Sequence, residues 1–444
     1  MESLIGAFGG LAWTLLAFVV ALSVIVAIHE YGHYIVGRWS GIYAEVFSIG
    51  FGPVLFSRTD RRGTRWQVAA IPAGGYVKFL GDANAASVGT DHAAMAGMGQ
   101  DRRRHTMQGA PLWARAATVA AGPIFNFVFS ILIFTGVALW SGQPSDPLAV
   151  ESLRDVGVDA SAFDIEAGDV PLAIAGQPLP DEDLGDWGEA LPAERILGWT
   201  VLRDGGEVVV PGPHPFPPLV GGVQPRSAAD DADLRPGDVI VAIDGNPIAS
   251  FAQLRASVLA AGSDGLSLTV RRDGTSFETA LAPRRMDVPL PEGGFETRWL
   301  IGVTGAPAFV PATESVGPWQ ALIGGAAQLW LVLRSSLEGL WSIVTGAISS
   351  CNLSGPVGIA ETASSMASQG GQSFVWFVAV LSAAVGLLNL FPIPVLDGGT
   401  LAFHAYELAT GRKPSDRALN VLMVGGLALI GTLMIFALFN DFVC

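Results

Sequence analysis

The chain has 444 residues, half of them hydrophobic and 15% charged. That charged share is low for a soluble protein, and the length accommodates a membrane domain plus one or two soluble modules. A net charge of −15 with no Lys/Arg stripe excludes a nucleic-acid surface, and the two cysteines, Cys351 and Cys444, are far apart, match no ligand spacing and do not indicate a disulfide scaffold.

The first apolar run, about Leu11 to Val36, is long enough to cross a bilayer. It is too long for a cleavable signal peptide and lacks a basic leader, so it reads as a retained span. Near its end stands His29-Glu30-Tyr31-Gly32-His33, an H-E-x-x-H register. Residues four apart share a helix face, so His29 and His33 can aim at one metal ion. Glu30 lies beside them, placed to take a proton from water at the metal. Ionisable groups inside a span are costly and mark function.

Arg38, Arg58, Arg61, Arg62, Arg65, Lys78, Arg102, Arg103, Arg104 and Arg115 follow. Such a bias beside membrane segments assigns this side to the cytoplasm and the N-terminus to the outside. Val46–Val54 is a short apolar stretch. Trp66–Ile71, then Gly74-Gly75-Tyr76-Val77-Lys78-Phe79-Leu80, reads as a strand, a glycine turn and a second strand. Unpaired strands cannot lie free in hydrocarbon, so these should form a small sheet near the catalytic opening. It is either a surface hairpin between spans or an edge that holds an extended peptide by main-chain hydrogen bonds. Residues 81–110 read as a loop in which His92 and His105 are solvated. The second span, about Ala114 to Trp140, carries Asn126, which either lines the site or locks two helices together.

Residues 141–318 carry 27 Asp and Glu against 11 Lys and Arg, a balance suited to the outer side. Ala167-Gly168-Asp169-Val170-Pro171-Leu172-Ala173-Ile174 is matched 69 residues later by Pro236-Gly237-Asp238-Val239-Ile240-Val241-Ala242-Ile243. Each copy reads as a Gly-Asp turn, an alternating strand and a further glycine turn. The second copy continues with a helix near Phe251–Ala261 and strands at Leu266–Arg271 and Phe277–Leu281. The first is weaker, since Pro171 interrupts its strand. Trp319 to Ile348 is apolar but holds Arg334 and Glu338 one turn apart, which favours an amphipathic helix on the outer membrane surface over a span.

The third span, about Phe374 to Phe391, runs into Asn389-Leu390-Phe391-Pro392-Ile393-Pro394-Val395-Leu396-Asp397-Gly398-Gly399. Prolines and glycines at membrane depth break a helix, and broken backbone is tolerated there when it lines a site. Asp397 supplies the third ligand that His29 and His33 lack, and a His-His-Asp set with one open position fits catalytic zinc. A fourth span, about Ala418 to Phe439, follows Arg412, Lys413 and Arg417. The class expected is therefore a polytopic α-helical membrane protein of about four spans. A transporter would explain Asp397 but not Glu30 between two histidines. A scaffold with a structural metal would need a fourth protein ligand.

These motifs carry a resemblance. The H-E-x-x-H stretch and the Asn389–Gly398 stretch resemble the paired metal motifs of the site-2 family of intramembrane zinc metalloproteases, of the type that regulates a stress sigma factor. The family's asparagine and proline match Asn389 and Pro394. Gly74-Gly75-Tyr76-Val77-Lys78 resembles its membrane-associated hairpin, and the Gly-Asp repeats are similar to tandem PDZ domains. The resemblance implies this layout: 1–140 for two spans, the H-E-x-x-H motif and the cytoplasmic hairpin; 141–215 and 216–312 for two periplasmic PDZ-like domains; 313–372 for an amphipathic linker; and 373–444 for spans three and four. It implies a bacterial inner-membrane enzyme, Zn2+ held by His29, His33 and Asp397, and Glu30 as base. Asn389 would act on the substrate backbone or oxyanion, or else satisfy a freed carbonyl. Gly75, Tyr76, Val77 and Pro394 would contact substrate. It implies single-span membrane substrates of the anti-sigma-factor type, already trimmed by an upstream site-1 type protease, remnant signal peptides as a second class, the lipid bilayer as surroundings and no nucleic acid.

Overall fold

Helix α1 runs Glu2–Trp39, so the H-E-x-x-H stretch is fully helical in its last third. The computed structural model describes residues 2–82, 97–180, 184–290 and 294–443. His92 and Asp181–Asp183 lie outside the described residues. The chain forms two compact units, Met1–Val137 with Pro318–Trp341 and Leu353–Cys444, and Ala138–Gly317 with Ser342–Asn352. Among the described helices four are long and apolar enough to cross a membrane: Ala12–Trp39, Leu112–Ser141, Gly371–Asn389 and Arg417–Val443.

After α1 the chain makes a hairpin of two long strands, β1 (Ala44–Thr59) and β2 (Arg65–Phe79). The chain turns twice here. One turn lies at 60–64, where the Asp60 carboxylate accepts hydrogen bonds from the Arg62 and Thr64 backbone N–H groups at 2.8 and 3.0 Å, a side-chain device that closes a turn without a glycine pair. The other lies between Ile71 and Gly75, where the sequence suggests it, with Gly74 at φ +150°. It folds the second half of β2 back along β1, so that Gln67–Val68 and Gly75–Tyr76 face Ser48–Ile49 in opposite directions. Phe47 faces both Trp66 and Val77, so Val46–Ile49 is flanked on both sides. Tyr34, Phe47, Val77 and Phe79 pack together against the end of α1, while Phe51, Val54, Leu55, Phe56 and Ile71 at the far end stay exposed.

Helix α2 (Leu112–Ser141) completes the first half of the membrane unit. The other unit follows as two copies of one module. The first copy has β3 (Val150–Leu153), β4 (Val170–Ile174), helix α3 (Leu184–Ala190), β5 (Ile196–Arg203) and β6 (Gly206–Pro213). The second has β7 (Val220–Val223), β8 (Val239–Ile243), α4 (Phe251–Ala261), β9 (Leu266–Arg272) and β10 (Thr275–Leu281). In each, a two-residue strand joins the three long ones into a four-stranded sheet. The copies share their polar joints. Asp169, buried, accepts from Arg203 Nε and Nη2 at 2.8 and 2.7 Å and from the Glu166 N–H at 2.8 Å. Asp238, 69 residues on, accepts from Arg272 Nε and Nη2 at 2.7 Å each and from the Arg235 N–H at 2.8 Å. Pro171 does not interrupt its strand. It pairs with Val201 beside a register shift, and the second copy shifts at Ile240 in the same place. A missing N–H is tolerated at such a bulge.

Two later strands close the copies. β11 (Val303–Gly305) pairs with β7, and β12 (Phe309–Pro311) pairs with β3. Helix α5 (Pro318–Val344) then leads back to the membrane unit, with Trp319, Trp330 and Trp341 exposed at 11-residue intervals. Cys351 is disulfide-bonded, a pairing that ligand spacing did not signal.

Helix α6 (Pro356–Ser368) went unread in the sequence. Its first free N–H groups are held from outside its own stretch: Gly355 N and Val357 N donate to Asp441 Oδ1 and Oδ2 at 2.8 and 3.1 Å. Helix α7 (Gly371–Asn389) packs Val378, Ala379 and Ala383 against α1, α2 and α5. Helix α8 (Asp397–Thr410) and helix α9 (Asp416–Val443) end the chain.

Candidate metal centre

Three elements meet at the centre: α1, α2 and the turn between α7 and α8. On α1, His29 and His33 turn their Nε2 atoms to within 3.1 Å of each other. Asp397, the first residue of α8, brings Oδ2 to 3.2 Å from His29 Nε2 and 3.4 Å from His33 Nε2. It can do so because the chain doubles back tightly after α7. A Cβ on Gly398 would strike the Leu390 and Phe391 carbonyls, and one on Gly399 the Ile393 carbonyl. Only glycine permits that approach.

Helix α2 supplies the support. His33 Nδ1 donates to the Thr118 carbonyl at 2.8 Å, which leaves the lone pair on Nε2. The fully buried Asn126 amide sits 3.3 Å from His29 Nδ1. With Oδ1 turned to that nitrogen it accepts the Nδ1 proton, and Oδ1 otherwise lies buried without a partner. Asn126 thus does both jobs the sequence left open, because its backbone carbonyl also accepts from Ser130 and Ser382, tying α2 to α7. Gly122 faces the two imidazoles so closely that a Cβ there would overlap His33.

The donor set fits a zinc ion. Two imidazole lone pairs and a carboxylate oxygen converge, and Asp397 Oδ2 is buried with no hydrogen-bond donor. Three electron-rich atoms this close repel unless a cation lies among them. Zinc–ligand bonds of about 2.0–2.1 Å in a tetrahedron put ligand atoms about 3.3 Å apart, in line with the separations found. Among the described residues the cluster has three members, which leaves a fourth position open, as in catalytic rather than structural sites.

Glu30 is adjacent, and strand β2 lies on it: a Cβ on Gly75 would meet Glu30 Cγ at 3.1 Å, and the Val77 N–H faces the carboxylate. Tyr76 points elsewhere, stacked on Phe51 with its hydroxyl accepting from Gln67 Nε2 at 3.1 Å. Asn389 Nδ2 donates to Val385 O in its own helix at 3.0 Å. Pro394 lies in the turn, packed beside Gly426 of α9. Sequence reasoning missed the Thr118 carbonyl, Gly122 and the Val77 N–H. The first and last are backbone groups, which carry no residue signature.

The family model described as "Peptidase family M50" matches residues 17–433. The chain is 35% identical over 432 residues to a zinc-metalloprotease homologue from Rhizobium meliloti (strain 1021), covering 97% of this chain and 96% of that protein. It is 33% identical over 463 residues to the regulator of sigma-E protease RseP of Salmonella typhimurium (strain 14028s / SGSC 2262), and 32% identical over 467 residues to that of Escherichia coli (strain K12). Each of those two alignments covers 97% of this chain and 98% of the relative.

Proposed function

Because the chain belongs to peptidase family M50 and is a multi-pass inner-membrane zinc metalloprotease acting on membrane proteins, we propose that it cuts within the transmembrane segments of single-span proteins. His29, His33 and Asp397 hold the zinc. When bound, zinc polarises the scissile carbonyl and makes nearby water a stronger acid. Glu30, oriented by the Val77 N–H, takes the proton from that water and delivers it to the leaving amine. A helix hides its peptide bonds, so substrate must unwind. The Gly75-Tyr76-Val77 stretch of β2, lying beside Glu30, offers an extended partner. Pro394 shapes the opposite wall, and Asn389 acts on the substrate only by leaving its bond to Val385. The observation that carries the reading is the convergence of His29, His33 and Asp397 beside Glu30 within the membrane unit. The test is cleavage of a transmembrane peptide by purified protein in lipid. Intact peptide after incubation with zinc-loaded wild type would end it.

The relatives named as regulators of sigma-E protease support substrates of the anti-sigma-factor type, first shortened by a site-1 type protease, with remnant signal peptides as a second class. The Lys/Arg bias supports a cytoplasmic hairpin and a site open to that side. The disulfide at Cys351 supports an oxidising compartment for residues 138–317 and 342–352. Cysteine labelling should reach position 103 only from inside. The two Gly-Asp copies are read as PDZ-like domains at 141–215 and 216–312, with Phe309–Pro311 returning to the first, and the exposed tryptophans support α5 as a helix on the outer membrane surface. These domains act as a size filter. A second reading, capture of a substrate tail, is favoured by one feature, an apolar cavity of about 420 Å³ whose lining includes Trp187, Trp199, Phe216, Phe251 and Phe309. One edge of the Val220–Val223 strand is already paired with β11, so it does not offer that edge to a tail. Deleting 145–310 distinguishes the readings: a filter lets the shortened protein cut trimmed substrate still and intact substrate faster, whereas capture abolishes both.

A further inference from the structure

Asp397 opens a helix that has little to hold it. The buried residues of α8 are Gly398 and Gly399 alone, and its longer side chains are partly or fully exposed. Ten residues along, about 15 Å by helical rise, Glu407 makes a two-pronged ion pair with Arg115 of α2. Arg115 Nη1 donates to Oε2 at 2.9 Å and Nη2 to Oε1 at 2.7 Å. Arg115 is buried, and its Nε donates to the Ala110 carbonyl at 3.2 Å, so the fork is fixed before Glu407 meets it. Lys413, just past α8, donates to the Gln108 carbonyl at 3.2 Å on the same segment. One turn beyond Arg115 comes Thr118, whose carbonyl orients His33. The same stretch of α2 therefore grips one imidazole directly and the far end of the Asp397 helix through an ion pair.

We propose that Arg115 and Glu407 are positioning residues for the metal: the pair fixes the orientation of α8 and so sets Asp397 against His29 and His33. The inference rests on the assignment of those three residues as ligands. A planar guanidinium suits the task because its two parallel bonds fix direction as well as distance. An apolar contact of equal strength would let the helix swivel. Groups hydrogen-bonded directly to metal ligands typically change metal affinity 10- to 100-fold when removed, and a pair acting through the helix belongs at the low end of that range.

The experiment is a zinc competition titration against a chromophoric chelator, on the full-length chain in detergent, with helical content followed in parallel. Glu407→Gln should weaken zinc binding at least about tenfold at unchanged helical content. Arg115→Lys, which keeps the charge but loses the fork, should fall between it and wild type, and Arg115→Glu with Glu407→Arg should recover part of the loss. The decisive arm is Asp397→Ala. In that background Glu407→Gln should add less than about twofold, because the ligand it positions is gone. An equal loss with and without Asp397 would mean that the pair merely supports the fold, and would overturn the proposal. So would wild-type affinity in Glu407→Gln. Wild-type affinity in Asp397→Ala would instead overturn the ligand assignment itself. Should Glu407→Gln not fold, Arg115→Lys carries the same comparison.

Discussion

Both units bury carboxylates, and they treat them differently. In the repeated copies, Asp169 and Asp238 are each 1% exposed and each is answered by an arginine fork and a backbone N–H. In the membrane unit, Asp397 faces two imidazole nitrogens whose partners across the ring are a carbonyl and an amide. A buried acid paired with a full cation of its own chain is complete, and its work is to hold the fold. A buried acid ringed by lone pairs needs a cation from outside, and that need is the mark of a functional centre.

The largest effect that could break this contrast is at Glu30. Glu30→Gln should lower the rate of peptide cleavage by about 10²–10⁴-fold while zinc content, read by metal analysis, stays at the wild-type level. His29→Ala, His33→Ala and Asp397→Ala should lose zinc. A Glu30→Gln protein that cuts at the normal rate, or that loses its metal, would move this residue out of the role of base. Next in size is the pair in the repeated copies. The Arg203 guanidinium beside Asp169 holds its carboxyl below the usual range. Asp169→Asn should destabilise the unit of the two copies by about 2–3 kcal/mol, less than a fully buried pair because Arg203 is part-exposed. Zinc content should not change. If it falls, the two kinds of buried acid are not independent.

A third test uses His214, buried in the unit of the two copies with Nδ1 accepting from the Phe216 N–H at 3.1 Å. Burial pushes its pKa down to about 4. The unfolded chain therefore takes up the proton first. Stability is complete above about pH 6.5 and drains away as pH falls towards 4, costing about 2 kcal/mol by pH 5. Thermal melts of wild type and His214→Gln from pH 7.5 to 4.5 should converge in slope only if another group is responsible. The smallest effect concerns Gly122. Gly122→Ala forces His33 to yield, and zinc affinity should drop about tenfold, or ~1.4 kcal/mol. Unchanged affinity would show that α2 has room to move.

The sequence reveals side-chain chemistry and hides backbone chemistry. His29, Glu30, His33 and Asp397 stand out because ionisable groups in apolar runs demand a reason. The 69-residue repeat stands out because turn glycines and the Asp169 and Asp238 carboxylates recur in register. The helix over Phe251–Ala261 matches its expected bounds, since Ser250 and Gln253 form a capping box there. The turn before Gly75 is legible in its glycines. By contrast, the turn at 60–64 is closed by the Asp60 carboxylate and has no glycine pair to announce it. Pro171 imitates a break that a bulge absorbs. Helix α6 is built largely of small residues and takes its cap from Asp441, 86 positions away from Gly355, so its one local signal, Pro356 at the first helical position, reads in the sequence as part of a loop. The pairing of Arg115 with Glu407 spans 292 positions, and neither residue differs on paper from a solvated charge.

The return of β12 to β3 has a bearing on how the protein is made. Phe309 pairs with Leu153 and Pro311 with Val150, so the first copy lacks a strand until some 160 residues later in synthesis. At about 5–20 residues per second, the ribosome needs about 8–30 s to supply it. Throughout that time the edge of β3 is an open template for any passing strand, while the second copy is emerging beside it with β7 equally unpaired until Val303–Gly305 arrives. The two copies are thus finished almost together, inner one first, and each spends its wait next to a near-replica of itself. The two waiting strands differ in sequence, Val150-Glu151-Ser152-Leu153 in one copy and Val220-Gly221-Gly222-Val223 in the other, and that difference works during biogenesis against pairing with the wrong sibling.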